Sequence, residues 1–257
     1  MLNFIFIIAS EKSFLSKNSF LLIDLAIVTI FLGVEFTNQF ARSKKKLKGI
    51  QNNLSYPKNS FIIARDLRSL SACNAIGKKI KRLNYLINVA GATKGGKFLN
   101  LKDNIWDDGF NLKFKAAVRL SRALWPVLKK NKGKVINIGG GAARNPSHTF
   151  MIGGAVNSAL NNFSKALAMQ GRIDKVSVSI IHPGMTLTGR LQKLLETDSK
   201  IFKKSIEKLL KERCEADKIK RPTKPDEIAK LVLKLIRNRN SNFKNLSIDG
   251  GKIKSLK

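Results

Sequence analysis

Four short segments that could contact a ligand follow directly after apolar runs of the sequence: Asp66, residues 88–91, residues 139–141 and residues 183–184. Three of these segments contain glycine, which lets the backbone turn tightly and lets a ligand approach the main chain closely. The chemistry that they suggest is the binding of a small molecule at the ends of strands.

From residue 60 onward, short apolar runs alternate with longer helical patterns, and these elements position the four segments. Strands are predicted at 61–64, 85–89, 134–138, 176–181 and 245–248, and helices at 72–82, 105–130, 156–170 and 226–237. Strands that are apolar on both faces and separated by helices pair in parallel, so the sequence predicts an α/β fold with a doubly wound parallel sheet flanked by helices. Ligands of such a sheet bind beyond the carboxyl ends of its strands, which places the four segments along one edge.

Metal and disulfide chemistry are not expected. Cys73 and Cys214 are too few and too far apart for a disulfide scaffold or a zinc site. His148 and His182 have no cysteine or carboxylate at ligand spacing. Hydrophobic residues make up 43% of the 257 residues, which excludes a disordered tail and a polytopic membrane protein.

The charge of the chain is strongly positive, with 49 Lys and Arg against 17 Asp and Glu and a net charge of +32. Such an excess raises nucleic acid or an anionic membrane as a partner. The lysines are spread along the whole chain beside many Asn, Ile and Phe, which share A/T-rich codons with Lys, so a biased genome explains the same composition. No nucleic-acid motif accompanies the charge, and nucleic-acid binding is not expected.

The first 36 residues contain two apolar stretches, at residues 1–8 and 20–36. We expect residues 1–20 to form an apolar extension and residues 21–257 to form a single domain. The second stretch is shorter than the about 20 apolar residues of a spanning helix and carries Asp24. The basic residues at 42–48 would nevertheless suit a cytoplasmic flank, so a membrane anchor stays open beside the favoured interpretation, a buried strand running into a helix of a cytoplasmic protein.

Six motifs in the same order resemble those of the short-chain dehydrogenase/reductase family, from about Leu25 to the end of the chain. They are Asp66 after the third strand, the Asn-Val-Ala-Gly turn at 88–91, Asn111, the Pro-Gly-x-x-x-Thr segment at 183–188, and two carboxyl-terminal signatures at 221–229 and 248–251. The resemblance implies a Rossmann-like sheet, NAD or NADP as cofactor, and interconversion of an alcohol and a carbonyl. It implies a catalytic role for Asn111 and cofactor contacts for Asp66, Asn88, Ala90, Gly91, Pro183, Gly184 and Thr188.

The catalytic serine, tyrosine and lysine of the family are absent. Their spacing, thirteen residues from Ser to Tyr and four from Tyr to Lys, places the three positions on Gly140, Gly153 and Asn157. In the family the Tyr is the general acid/base, the Lys lowers its pKa and holds the ribose, and the Ser positions the carbonyl. No tyrosine follows Tyr85, so no shifted alignment restores the acid. We therefore expect impaired or altered activity, with Ser147, His148 or Thr149 as alternative proton donors. The favoured interpretation of His148 itself is a loop residue at the surface.

The first βαβ unit of the family, which holds the cofactor pyrophosphate, is also degenerate. Residues 26–29 fit its strand and residues 36–42 fit its helix, so Gly33 is the last glycine of the loop between them. That loop is about three residues short, with bulky side chains at 30–32 where glycines belong. The next strand is missing, and either residues 3–9 replace it or the sheet has an exposed edge.

Two functions remain open. The first is an NAD(P)-dependent oxidoreductase acting on a small-molecule carbonyl or alcohol. The alternative is a catalytically inactive pseudoenzyme that serves as a binding or assembly subunit, or the product of a decaying gene. The resemblance also implies a homodimer or homotetramer built on helices 105–130 and 156–170. Candidate interface residues there are Phe110, Phe114, Leu120, Leu160 and Phe163, although burial in the helix core explains these residues equally well.

Overall fold

The fold is built on one eight-stranded sheet, seen in a computed structural model that describes residues 3–7, 36–41, 48, 52, 60–91, 93–238 and 242–256. The strands run in the order β3-β2-β1-β4-β5-β6-β7-β8, and all neighbours are parallel except β7 and β8. This confirms the predicted doubly wound parallel sheet. The strands are β1 (Asn3–Ile7), β2 (Phe36–Ala41), β3 (Ser60–Ala64), β4 (Tyr85–Asn88), β5 (Lys134–Ile138), β6 (Ser177–Pro183), β7 (Lys244–Asp249) and β8 (Lys252–Ser255).

Helices connect these strands, and short polar side chains fix where several of them begin. Ser69, Thr188 and Ser205 each accept a hydrogen bond from the first turn of the helix that follows. The described helices are α1 (Leu70–Lys79), α2 (Asp103–Gly109), α3 (Ala116–Lys130), α4 (Met151–Asp174), α5 (Gly189–Phe202), α6 (Ile206–Ala216) and α7 (Pro225–Arg237). A π-helical turn, Phe110–Lys115, joins α2 to α3.

The core lies on both faces of the central strands. Neighbouring residues of a strand point to opposite faces, so Leu86 of β4 packs with α1 and α3 while Ile87 packs with α7. The same alternation separates Val135 from Ile136 on β5. Burial on both faces is the reason that these strands are continuously apolar.

The amino-terminal strands differ from the sequence prediction. The prediction of a helix over 36–42 is wrong, because Phe36–Ala41 is strand β2, paired in parallel with β1 and β3 on its two sides. The strand considered missing is therefore present, and the sheet is not narrowed. Asn3–Ile7 joins the sheet between β2 and β4 rather than in place of β2. Residues 26–33, with the predicted first strand and Gly33, lie outside the described residues.

The long helix predicted over 105–130 is interrupted at Phe110–Lys115, and the helix predicted over 156–170 extends over Met151–Asp174. Leu120 and Leu160 are fully buried within their own chain, so neither is available to a partner subunit. In the described part of the chain no helix is long and apolar enough to cross a membrane, and residues 20–35 lie outside that part.

A buried chain of polar side chains links the two central strands to helix α4. Asn88 Nδ2 of β4 donates to Asn137 Oδ1 of β5 at 2.8 Å, and Asn137 Nδ2 donates to Ser164 Oγ at 2.8 Å. Ser164 Oγ in turn donates to the carbonyl of Leu160 at 2.7 Å. A buried polar group that loses its hydrogen-bond partner costs free energy, because water cannot replace that partner. This chain of hydrogen bonds therefore fixes the position of α4 over the strands.

We expect Asn137→Ala to lower the free energy of unfolding by about 2 kcal/mol, because Asn88 Nδ2 loses its acceptor in a dry interior. Urea denaturation followed by circular dichroism measures the loss. Asn162→Ala, at an exposed position of α4, is the matched control and should change stability little. Equal effects of the two substitutions would contradict a structural role for the chain.

Candidate functional site

A cavity of about 1420 Å³ opens at the carboxyl ends of β4, β5 and β6. Its wall brings together many of the residues singled out from the sequence, namely Gly91, Gly140, Asn157, Pro183, Gly184 and Thr188. The wall does not include five others that the sequence analysis singles out, namely the buried residues Asn88, Ala90 and Gly153 and the half-buried residues Asp66 and Asn111. The cavity therefore brings together the segments that follow β4, β5 and β6, whereas Asp66 after β3 is not part of its wall.

Phe150 fills the space beside Gly153, the position to which the sequence spacing assigns the family's tyrosine. Gly153 is buried in the first turn of α4, and a Cβ added to it would overlap the ring of Phe150. Phe150 immediately precedes α4 and also lines the cavity. Position 153 therefore lacks both a proton-donating side chain and the room for one.

Gly140 and Asn157, the predicted positions of the family's serine and lysine, contact each other closely. The side chain of Asn157 lies against Gly140, and a Cβ on Gly140 would lie 2.7 Å from Asn157 Nδ2. Asn157 is 4% exposed, and its Oδ1 has no hydrogen-bond partner among the described residues. A serine at position 140 would therefore displace the amide of Asn157.

His182 supports the glycine turn from behind. Its Nδ1 lies 3.4 Å from the nitrogen and 3.2 Å from the oxygen of Gly140, and its Nε2 lies 3.2 Å from Asn161 Oδ1. Burial lowers the pKa of His182 to about 4, opposed by the hydrogen bond to Gly140 and assisted by the charges of Arg144 and Lys113. The imidazole is neutral at physiological pH and acts as a packing and hydrogen-bonding group.

Asp66 is held at the end of β3 by a short ionic network. Its Oδ1 accepts from the backbone nitrogen of Arg68 at 3.0 Å, and Arg68 Nη1 lies 3.4 Å from the same oxygen. The guanidinium of Arg68 also binds both oxygens of Asp108 on α2, which raises the pKa of Arg68. Arg119 donates to the carbonyl of Arg68 at 2.6 Å, so α2 and α3 both fix this turn.

The Pro183–Gly184 turn is shaped by close backbone contacts. Gly184 donates to the carbonyl of Ile248 at 3.0 Å, and a Cβ on Gly184 would overlap the carboxylate of Asp249. Only glycine fits this turn without displacing Asp249. Thr188 caps α5 by accepting from the nitrogen of Leu191 at 3.4 Å.

Three residues of the site that the sequence analysis does not single out for it are Phe150, Lys113 and His182. Lys113 follows Asn111 by two residues in the π-helical turn, and its Nζ donates to the carbonyl of Gly139 at 2.8 Å. A π turn has no distinct hydrophobic period, so the sequence gives no sign that Lys113 faces the cavity. Phe150 lies three residues before Gly153, and an aromatic residue beside a glycine at a catalytic position is a signal that could have indicated it.

The charge of the wall is mainly positive. Its acidic residues are Asp217 and Asp249. Its basic residues are Lys113, Arg144, Arg213, Lys218, Lys220, Lys252 and Lys254. A concave wall of this charge favours anionic ligands. Among the described residues, no three His, Cys, Asp or Glu side chains are grouped so that they could hold a metal ion.

Comparison with known proteins finds relatives of the sequence. A family model described as short chain dehydrogenase matches residues 26–199. The uncharacterized oxidoreductase YvaG of Bacillus subtilis is 27% identical over 200 residues, which are 75% of this chain and 76% of that protein. The 2,3-dihydro-2,3-dihydroxybenzoate dehydrogenase of the same bacterium is 26% identical over 197 residues, 72% of this chain and 74% of the relative.

Solved structures share the fold over nearly the whole chain. L-sorbose reductase from Gluconobacter frateurii, complexed with NADPH and L-sorbose, superposes with a TM-score of 0.81 at 24% identity and 97% coverage of both chains. YwfH, an NADPH-dependent reductase involved in bacilysin biosynthesis, superposes with a TM-score of 0.82 at 20% identity and 99% coverage of both. These likenesses confirm the arrangement of sheet and helices.

We expect Gly153→Ala to destabilise the protein by about 1–3 kcal/mol, because the added Cβ meets the ring of Phe150. Adding Phe150→Leu should recover part of the loss, and thermal unfolding of the two single variants and the double variant measures this coupling. Gly154→Ala is the control in the next helical position, where a Cβ would lie 3.3 Å from the carbonyl of Ala142. Equal stability of the two alanine variants would show that Phe150 does not occupy the space beside position 153.

The buried neutral state of His182 predicts a pH dependence of stability. The unfolded chain takes up a proton near the ordinary histidine pKa of 6.5, whereas the folded chain does so near 4, so stability falls as the pH drops through this window. Between pH 7.5 and pH 5 the loss should be about 2 kcal/mol. Urea denaturation at the two pH values should show this loss in His148→Gln, whose imidazole is exposed, and not in His182→Gln.

Proposed function

Because the chain belongs to the short-chain dehydrogenase family, we propose that it is an NAD(P)-linked oxidoreductase of that family with altered proton transfer. The dinucleotide would lie across the cavity, and the substrate would be a small carbonyl or alcohol. The observation that carries the proposal is the cavity at the carboxyl ends of the strands, whose wall includes Gly91, Pro183, Gly184 and Thr188. Phe150 lies beside Gly153, the position assigned to the family's tyrosine. Proton transfer would then proceed without a side chain at position 153.

The described residues fit a dinucleotide. Gly91, Gly140 and Gly184 line the cavity, and its basic wall suits a diphosphate. By family resemblance, Asp66 would hold the adenine end, and Asn88, Ala90, Gly91 and the segment from Pro183 to Thr188 would hold the nicotinamide end. The bound cofactor would supply or accept the hydride. Gly33, assigned to the pyrophosphate, lies outside the described residues.

A second candidate function is that of an inactive binding or assembly subunit. It is favoured by Gly140, Gly153 and Asn157, none of which can transfer a proton as the family's residues do. Oxidation of NADPH in the presence of a panel of small aldehydes and ketones separates the two. Turnover above the protein-free rate supports the oxidoreductase, and tight binding without turnover supports the inactive subunit.

We further propose a homodimer or homotetramer in the cytoplasm, as the family resemblance implies. Met169 and Ile173 support it, because they are 67% and 76% exposed on α4. Large apolar side chains exposed together on a helix are typical of a surface that a partner covers. Sedimentation of the purified protein measures the assembly directly.

Calorimetric titration with NADPH and then NADH tests the proposed function. We expect micromolar affinity for at least one of them, and Asp66→Ala should weaken it about tenfold by removing the polar contact at the adenine end. Asp107→Ala, which removes an exposed carboxylate of α2, should leave the affinity unchanged. An absence of binding up to millimolar concentration of both dinucleotides would end the oxidoreductase proposal.

A further inference from the structure

Lys113 and Asn157 approach the same turn of the cavity wall from different elements. Lys113 comes from the π-helical turn, and its Nζ donates to the carbonyl of Gly139 at 2.8 Å. Asn157 comes from α4, and its amide lies against Gly140, the next residue of the turn. Both side chains line the cavity, so an ammonium and a carboxamide flank one glycine peptide.

The side chain of Lys113 is directed along the cavity wall by its surroundings. Its methylene groups pass over Gly91, where a Cβ would lie 2.8 Å from Lys113 Cδ. Gly91 therefore makes the room through which Lys113 reaches the end of β5. Lys115, two residues later in the same π turn, is exposed and is not part of the wall.

Beside the turn after β5, Asn157 contributes a buried side-chain oxygen without a hydrogen-bond partner in the described part of the chain. It is 4% exposed, and its Oδ1 accepts no hydrogen bond from any described residue. A buried polar atom normally finds a partner, since leaving it without one costs about 1–3 kcal/mol. A carboxamide oxygen only accepts hydrogen bonds, so the ligand group that satisfies it must be a donor.

We propose that Lys113 and Asn157 form a hydroxyl-binding pair and that Lys113 supplies the positive charge that position 157 lacks. A hydroxyl oxygen accepts a hydrogen bond from the ammonium of Lys113 while its proton is donated to Asn157 Oδ1. A carboxylate cannot do both, because it has no proton to donate. The ligand chemistry is therefore a neutral hydroxyl or vicinal diol. The inference rests on the proposed function, in which that diol is the nicotinamide ribose, and a polyol substrate is the other source.

The test compares dinucleotides with fragments that lack the second ribose. NADPH is paired with adenosine 2′,5′-bisphosphate and NADH with ADP, each titrated by calorimetry into the wild-type protein and its variants. Lys113→Met keeps the length of the side chain and removes its charge. It should weaken dinucleotide binding about ten- to a hundredfold, as expected for a hydrogen bond from a charged group, and leave fragment binding unchanged. Lys115→Met is the matched control and should change neither.

A double variant distinguishes the loss of the positive charge from a disruption of packing. Lys113→Met combined with Asn157→Lys places the cation on the other side of the turn and should recover most of the lost dinucleotide affinity. Circular dichroism of each variant confirms folding. Lys113→Arg, which keeps the charge, should lose less affinity than Lys113→Met.

The remaining outcomes distinguish this inference from the proposed function. If Lys113→Met binds dinucleotide as wild type does, or if it weakens the fragment equally, the pair is overturned and the proposed function stands. If wild type binds dinucleotide no better than the fragment, the pair is overturned while the adenine end stands. If wild type binds sorbitol in a Lys113-dependent manner and no dinucleotide, the pair stands and the proposed function fails. If wild type binds neither sorbitol nor a dinucleotide, both the hydroxyl-binding pair and the proposed function are contradicted.

Discussion

The geometry of the cavity depends on how closely helix α4 approaches the strands beneath it. Two features set that approach. At one end of the helix, Gly171 lies so close to the carbonyl of Val176 that a side chain at position 171 would overlap it. In the middle of the helix, the buried hydrogen bond from Asn137 to Ser164 fixes both the distance of the helix from the sheet and its rotation about its own axis. Once the helix is fixed in this way, the side chain of Asn157 meets the turn after β5 without further adjustment.

The sheet is largely predictable from the sequence because its central strands are buried on both faces. The runs that become β4, β5 and β6 are apolar enough to be recognised without any partner, and their carboxyl ends then define one edge. β2 is less predictable, because Phe36–Ala41 includes Asn38 and Gln39 and resembles part of a helix. Pairing with two parallel neighbours overrides such weak local preferences, and those neighbours are distant in the sequence.

The sequence predicts positions for the site but not how the side chains pack there. The spacing of Gly140, Gly153 and Asn157 assigns the family's catalytic positions to these residues, and this assignment stays a prediction. It does not show what fills the vacated space, since this depends on side-chain packing between α4 and the turn before it. Phe150 occupies one part and the amide of Asn157 another. Lys113 reaches the wall from a π-helical turn, whose side chains do not follow the period of an α-helix.

The packing of Phe150 on Gly153 has a consequence for the history of the chain. A tyrosine introduced at position 153 would meet an aromatic ring already in place, and a serine at position 140 would meet the amide of Asn157. Each family-type residue is therefore disfavoured until its neighbour has changed first, which is epistasis of the kind that makes evolutionary steps difficult to reverse. No single substitution returns this site to the family's arrangement, so any selection on the present protein acts on the repacked cavity as it is.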